Sequence, residues 1–123
     1  MKRIMVVDDE QDTQTLFEQR FRREIKAALV DLIFFFSAET ALFYLQSPQA
    51  ATPELILSDI NMPGLGGLEL LRRVKALYQD LPVIMVTAYS NNQNYQIAME
   101  NGADDYISKP IDFRALKAKV LEE

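Results

Sequence analysis

The sequence predicts a doubly wound α/β domain, in which helices cover both faces of a parallel sheet. Five short aliphatic runs recur along the chain, and a stretch with helical spacing follows each of them. Short aliphatic runs are typical of strands that are buried on both faces. Strands that alternate with helices imply right-handed crossover connections, so the strands of the sheet should pair in parallel.

The predicted strands lie at residues 4–7, 32–36, 55–57 and 83–86, with a weaker fifth run around Tyr106 and Ile107. Helical spacing is clearest in the first and last of five predicted helices, at Phe17, Phe21, Ile25, Phe113, Leu116 and Val120. Asp12 and Asp112 can cap helix N-termini, and Gly102 can end the fourth helix. The length and these signals together predict a single domain of ordinary size that spans residues 1–123.

Composition excludes several classes of function. The chain contains no Cys and no His, which excludes disulfide frameworks, the usual zinc sites and every nucleophile that depends on either residue. Its 18 acidic and 13 basic residues give a net charge of −5, the wrong sign for neutralising the phosphates of a nucleic acid. The apolar run near the N-terminus is too short for a signal peptide or a membrane span, so we expect a cytoplasmic protein.

Chemically useful side chains follow the predicted strands. They are Asp8, Asp9 and Glu10 after the first strand, Asp59 after the third, Thr87 after the fourth and Lys109 after the fifth. Open parallel sheets bind ligands beyond the carboxyl ends of their strands. Carboxylates that converge there repel one another unless a cation lies among them, and Mg²⁺ is the hard, oxygen-seeking ion that fits.

With such a metal bound, Asp59 could attack a phosphorus atom in line. Thr87 and Lys109 would then stabilise the charge on the equatorial phosphoryl oxygens. The product would be an aspartyl phosphate.

The order of motifs resembles that of response-regulator receiver domains of two-component signalling. The motifs are Asp8-Asp9, then Asp59 with Asn61-Met62-Pro63-Gly64, then Thr87-Ala88, then Gly102-Ala103-Asp104-Asp105-Tyr106, and finally Lys109-Pro110. Each motif alone is weak, but five of them in order along nearly the whole chain form a specific signal. The resemblance implies the flavodoxin-like strand order 2-1-3-4-5 with five helices.

The resemblance also implies a role for each matching residue. Asp59 would be the phosphoacceptor, with Mg²⁺ held by Asp9 directly, by Asp8 through water, by Asp59 itself and by the backbone carbonyl of Asn61. Thr87 and Lys109 would contact the phosphoryl group, Thr87 and Tyr106 would form the switch, and Asn61 and Tyr89 would tune hydrolysis. The bond between Lys109 and Pro110 is usually cis in the family.

As partners, the resemblance implies a sensor histidine kinase or phosphotransfer protein as donor, and an output domain or effector protein as receiver of the signal. The signalling face would comprise the fourth helix, the fifth strand and the fifth helix. We expect no direct contact with nucleic acid or membrane. Such a domain catalyses only its own phosphorylation and dephosphorylation, so it is not an enzyme in the usual sense.

Simpler interpretations exist for each residue. Asp8 and Asp9 could be loop acids, as we interpret the solvated pair Asp104-Asp105; Lys109 could be a surface charge and Tyr106 core packing. Gly64, Gly66 and Gly67 lack the spacing of a nucleotide-binding loop and indicate a flexible loop beside the site. Two alternative functions are a degenerate receiver that only binds partners and, remotely, a haloacid-dehalogenase-type phosphatase, whose Asp-x-Asp motif and cap insertion are absent from the sequence.

Overall fold

The computed structural model of the protein describes residues 1–48, 51–88 and 92–121. Five strands form one parallel sheet in the order β2-β1-β3-β4-β5, which confirms the predicted fold class and strand order. The strands are β1 (Lys2–Val7), β2 (Val30–Phe35), β3 (Leu55–Asp59), β4 (Val83–Thr87) and β5 (Asp105–Ser108). The helices are α1 (Gln11–Arg20), α2 (Arg22–Lys26), α3 (Ala38–Gln46), α4 (Gly67–Leu77), α5 (Asn92–Glu100) and α6 (Phe113–Leu121).

The described ranges hold six helices instead of the predicted five, because the first helix breaks at Phe21. Phe21 leaves the helical conformation, with φ −100° and ψ 15°, while its ring remains fully buried and stacks on Phe17 at 5.9 Å. Its buried ring continues the apolar periodicity across the break, so the sequence pattern alone does not reveal it. The predicted fourth and fifth helices are therefore α5 and α6.

The hydrophobic core lies in two clusters, one on each face of the sheet. Neighbouring residues of β2 show the alternation: the ring of Phe34 meets Phe17 edge-on at 6.4 Å, whereas Phe35 packs on Tyr44 at 5.2 Å on the opposite face. None of the helices in the described ranges is long and apolar enough to cross a membrane.

Two of the three predicted helix-end signals are confirmed. Asp112 accepts hydrogen bonds from the backbone amides of Arg114 and Ala115, at 3.1 and 3.2 Å, and so caps α6. Gly102, at φ +98°, ends α5. The third prediction was wrong: α1 begins directly after Glu10, because the chain turns at once after β1, and Asp12 lies inside the first helical turn.

Candidate functional site

The carboxyl ends of four strands carry the predicted site residues to one edge of the sheet. Asp59 closes β3 and lies opposite Val86 of β4, and the Ile60 amide donates to the Val86 carbonyl at 3.0 Å. Thr87 closes β4, and the amide of Lys109 donates to its carbonyl at 2.8 Å. Because the strands are parallel and in register, residues 8, 59, 87 and 109 become neighbours although they are far apart in the sequence.

Asp8, Asp9 and Asp59 form an acidic cluster, in which one carboxylate oxygen of each lies within 4.8 Å of the other two. Asp8 and Asp59 are each 6% exposed, whereas Asp9 lies at the surface. Asp8 is oriented by the Glu10 amide, which donates to its Oδ1 at 2.9 Å. Two buried acids and one exposed acid therefore leave an opening to solvent on one side of the cluster.

Lys109 is the cation of the site. Its Nζ lies 3.1 Å from Asp8 Oδ2 and 3.3 Å from Asp59 Oδ2, so one ammonium group bridges both buried carboxylates. Burial opposes the charge of Lys109, but its hydrogen bond with Asp8 and the charges of both acids outweigh burial and raise its pKa. Lys109 therefore stays protonated in this position.

In Asp59 the effects on the pKa favour the uncharged form of the carboxyl group. Burial is the main cause that raises the pKa of its carboxyl group, and the charge of Asp8 adds to this effect. Lys109 acts against the rise, as does the Asn61 amide, which donates to Asp59 Oδ1 at 3.2 Å. A single lysine thus does not neutralise the cluster fully.

The donor set fits a hard divalent cation. Three carboxylates lie close enough to ligate one ion. Burial, and after it the charge of Asp8, raises the pKa of Asp59, and an added cation would oppose both effects. Oxygen ligands of this kind suit Mg²⁺, which keeps several waters and takes few protein ligands. The backbone of Asn61 begins the loop beside the cluster and could supply a carbonyl oxygen.

Thr87 and Tyr106 lie together on the last two strands. Thr87 is fully buried, and Tyr106 lies opposite Met85 in the β4–β5 pairing. Burial raises the pKa of Tyr106, and the neighbouring Thr87 side chain acts in the opposite direction. The Tyr106 hydroxyl is buried and has no hydrogen-bond partner among the described residues. The Tyr106 ring meets the ring of Tyr95, on α5, edge-on at 5.5 Å.

Of the other predictions, the bond between Lys109 and Pro110 is cis, as the resemblance implied. Tyr89 falls outside the described residues, and its proposed effect on hydrolysis stays a prediction.

Comparison with known proteins identifies the family. The model of the response regulator receiver domain matches residues 4–121 of the chain. The chain belongs to this family. Its receiver domain is 38% identical over 111 residues to an uncharacterised 14.6 kDa protein of Leptolyngbya boryana, covering 89% of this chain and 79% of that protein. It is also 38% identical over 109 residues to the DNA-binding transcriptional regulator NtrC of Escherichia coli K12, covering 89% of this chain but only 22% of NtrC.

Solved structures agree with this assignment. The receiver domain superposes on a CheY-like response regulator receiver domain protein from Methanospirillum hungatei with a TM-score of 0.86 and 30% identity, covering 99% of this chain and 92% of that one. A response regulator receiver protein from Pseudomonas putida gives a TM-score of 0.85 at 25% identity, covering 99% and 97% of the two chains.

The pair Asp104-Asp105 lies away from the site, at the opposite edge of the receiver sheet, but it is more than a solvated turn. Asp104 Oδ2 accepts from the Val83 amide at 2.8 Å and from Lys75 Nζ at 2.9 Å. Asp105 pairs with Lys119 and begins β5. The first interpretation was therefore incomplete, because these acids fix the start of β4 and join β5 to α6.

The glycines after Asp59 also do more than lend flexibility. An ideal Cβ on Gly67 would lie 1.9 Å from the backbone oxygen of Asp59, so the first residue of α4 must lack a side chain to approach the end of β3. The flexible-loop interpretation missed this contact. The helix start at Gly67 in the sequence could have suggested it, since glycine at a strand-to-helix junction often marks close backbone approach.

Proposed function

We propose that this receiver domain is the phosphoacceptor switch of a two-component phosphorelay, with Asp59 as the residue that takes the phosphoryl group. The observation that carries the proposal is the position of Asp59, which is buried within the acidic cluster and contacts Lys109. No other acid of the cluster closes a strand while contacting both a cation and a backbone amide.

The chemistry follows from the contacts of Asp59. One carboxylate oxygen attacks phosphorus in line, a new bond forms between that oxygen and phosphorus, and the bond from phosphorus to the donor breaks. Lys109 already lies 3.3 Å from Asp59 and can donate to a phosphoryl oxygen there. Thr87, at the end of the adjacent strand, supplies a hydroxyl on the other side.

Asp8, Asp9, Asp59 and the backbone carbonyl of Asn61 would hold Mg²⁺. The bound ion would neutralise the carboxylates and the charge that develops on the phosphoryl oxygens. Asp8 and Asp9 thus act on the reaction by holding the ion in place, and Lys109 acts by donating hydrogen bonds to the phosphoryl oxygens.

A groove of about 280 Å³ beside the site suits docking of the phosphoryl donor. It runs between α1 and the segment after Lys109, and Leu16, 39% exposed, lies on its rim. The donor would be a sensor histidine kinase or phosphotransfer protein. Apart from its own phosphorylation and the later hydrolysis, which we assign to water passing Asn61 and Tyr89, the domain catalyses no reaction.

The phosphorylation signal would reach a partner through the surface formed by α5, β5 and α6. The Thr87 hydroxyl would turn toward the phosphoryl group and away from the neighbouring Tyr106 side chain, whose own hydroxyl is buried without a hydrogen-bond partner among the described residues. The edge-on ring contact joins Tyr106 to Tyr95 at the surface. Within the described helix α5, Glu100 is the only charged residue, while Tyr95 and Met99 are 49% and 37% exposed. The same helix also carries exposed amides at Asn92, Gln93 and Gln96. A downstream domain or effector would therefore make a mostly hydrogen-bonded and aromatic contact with α5.

Incubation with Mg²⁺ and a small acyl phosphate tests the proposal. Intact mass should rise by one phosphoryl group in the parent and in Asp12→Asn, a control acid outside the acidic cluster, but not in Asp59→Asn. Equal modification of Asp59→Asn would refute the assignment. A parent that accepts no phosphoryl group would favour a degenerate receiver, and multiple turnover on phosphate esters would favour a phosphatase.

A further inference from the structure

The β3–α4 loop (residues 60–66) is attached to a neighbouring helix by a side chain outside the acidic cluster. Glu39 lies in the first turn of α3, and its Oε2 accepts a hydrogen bond from the Leu65 amide at 3.3 Å. The two residues are 26 positions apart in the sequence. The helix that follows β2 therefore reaches the loop after Asp59.

Gly64 makes the approach possible. An ideal Cβ on Gly64 would lie 2.6 Å from Glu39 Oε2, closer than real Cβ contacts allow, and its backbone has φ +80°. The carboxylate thus occupies the place that a side chain at position 64 would take. The hydrogen bond to Leu65 and the open space at Gly64 are separate observations that both fit a seated Glu39 carboxylate.

The same loop carries Asn61, whose amide donates to Asp59 Oδ1. The loop begins beside β4, where the Ile60 amide donates to Val86, and Met62 is anchored in the core at 9% exposure. Beyond Met62 the loop is held by the partly buried Leu65 side chain, which packs against the core, and by the hydrogen bond of the Leu65 amide to Glu39, which joins the loop to α3. Asn61 itself is exposed, so its place depends on how firmly the rest of the loop is held.

We propose that Glu39 is a positioning residue for the metal site: through the Leu65 amide it fixes the loop that presents the Asn61 carbonyl. As far as the metal is concerned, this rests on the proposed function. Outer contacts that orient the ligands of a metal commonly change its affinity when they are removed. Such contacts are typically worth about 10- to 100-fold in metal affinity, and because Glu39 is exposed its effect should lie at or below the lower end of this range.

Titration calorimetry with Mg²⁺ separates positioning from simple charge attraction. Glu39→Ala should weaken Mg²⁺ binding roughly three- to tenfold. Glu39→Gln keeps an acceptor oxygen without the charge and should stay within about twofold of the parent, as should Glu18→Ala, which removes an exposed helix carboxylate elsewhere. Equal weakening by Glu39→Gln and Glu39→Ala, or parent-like binding by Glu39→Ala, would overturn the proposal.

A second experiment tests the contact in metal-free protein. Gly64→Ala displaces the Glu39 carboxylate, so it should raise the unfolding equilibrium constant about threefold more in the parent than in the Glu39→Ala background. The strain at φ +80° is common to both backgrounds and cancels. Strict additivity would refute the contact alone, whereas a parent that binds no Mg²⁺ would refute the proposed function and the metal role of Glu39 together.

Discussion

Replacing Gly67 with alanine should damage both the stability and the chemistry of the site. The added Cβ would lie 1.9 Å from the Asp59 oxygen and 2.8 Å from the Ile60 Cα, and both neighbours are backbone atoms. Carbon–oxygen contacts settle near 3.3 Å, so α4 or the end of β3 must move by about 1.4 Å. The perturbation is therefore centred on Asp59, the proposed phosphoacceptor.

The magnitude follows from this overlap. Overpacking typically costs about 1–3 kcal/mol, and a backbone neighbour places Gly67→Ala near the upper end. Alanine regains about 1 kcal/mol over glycine within a helix. The net loss is about 2 kcal/mol, or about 1 M in the urea midpoint for a domain of this size. Misplacing a reacting group by about 1 Å can cost a hundredfold in rate, so phosphorylation should slow at least tenfold.

Gly66→Ala is the matched control. Gly66 has φ +78°, but a Cβ there meets nothing within 4 Å. Gly66→Ala should lose about 1–3 kcal/mol, because φ +78° with ψ 159° is a backbone conformation that essentially only glycine adopts. Its phosphorylation rate should stay within about twofold of the parent. Urea unfolding and intact-mass kinetics of both variants provide the assay. If Gly67→Ala is phosphorylated as fast as Gly66→Ala, the close contact does not position Asp59 and the reasoning is wrong.

Three further predictions concern charge and output. Without metal, Asp59→Asn should stabilise the fold at neutral pH. Burial raises the pKa of Asp59, so the parent loses stability as the pH rises from the ordinary pKa of 3.8 through the raised one. Urea unfolding should therefore show that the advantage of Asp59→Asn vanishes below pH 3.8. Lys109→Met should lose about 2–4 kcal/mol by leaving Asp8 and Asp59 without their cation, and millimolar Mg²⁺ should restore part of it; unchanged metal-free stability would contradict the bridge. Sedimentation of phosphorylated protein should show at most weak, salt-insensitive self-association, and Thr87→Ala should make this association independent of phosphorylation. Strong dimers that dissolve in salt would contradict an α5 surface that carries no basic residue.

The sequence predicts well which residues come together in the site, because the topology of the sheet decides it. Asp59 and Lys109 are 50 positions apart, yet each follows a strand, and parallel strands end at one edge of the sheet. Side-chain contacts that follow no such rule stayed hidden. Nothing in the spacing of Glu39 and Leu65 indicates their hydrogen bond, because it depends on the helix turn that faces the loop.

Local interpretations failed where packing decided between two options that the sequence leaves equal. Phe21 continues the helical periodicity, so the break after Arg20 leaves no mark in the pattern. Asp12 is a suitable cap by residue type, but the tight turn after β1 starts the helix earlier. Gly67 belongs to a glycine-rich segment with the composition of a flexible loop. Only the approach of α4 to Asp59 reveals why a side chain is excluded at this position.

The central claim is that Asp59 forms the aspartyl phosphate, and chemical mapping tests it most directly. Borohydride reduces an aspartyl phosphate to homoserine, so the phosphorylated parent should yield homoserine at position 59 when its peptides are sequenced by mass spectrometry. Asp8 and Asp9 should remain aspartate, because their carboxylates serve the metal in this account. Homoserine at position 8 or 9, or an adduct that borohydride leaves intact, would contradict the account.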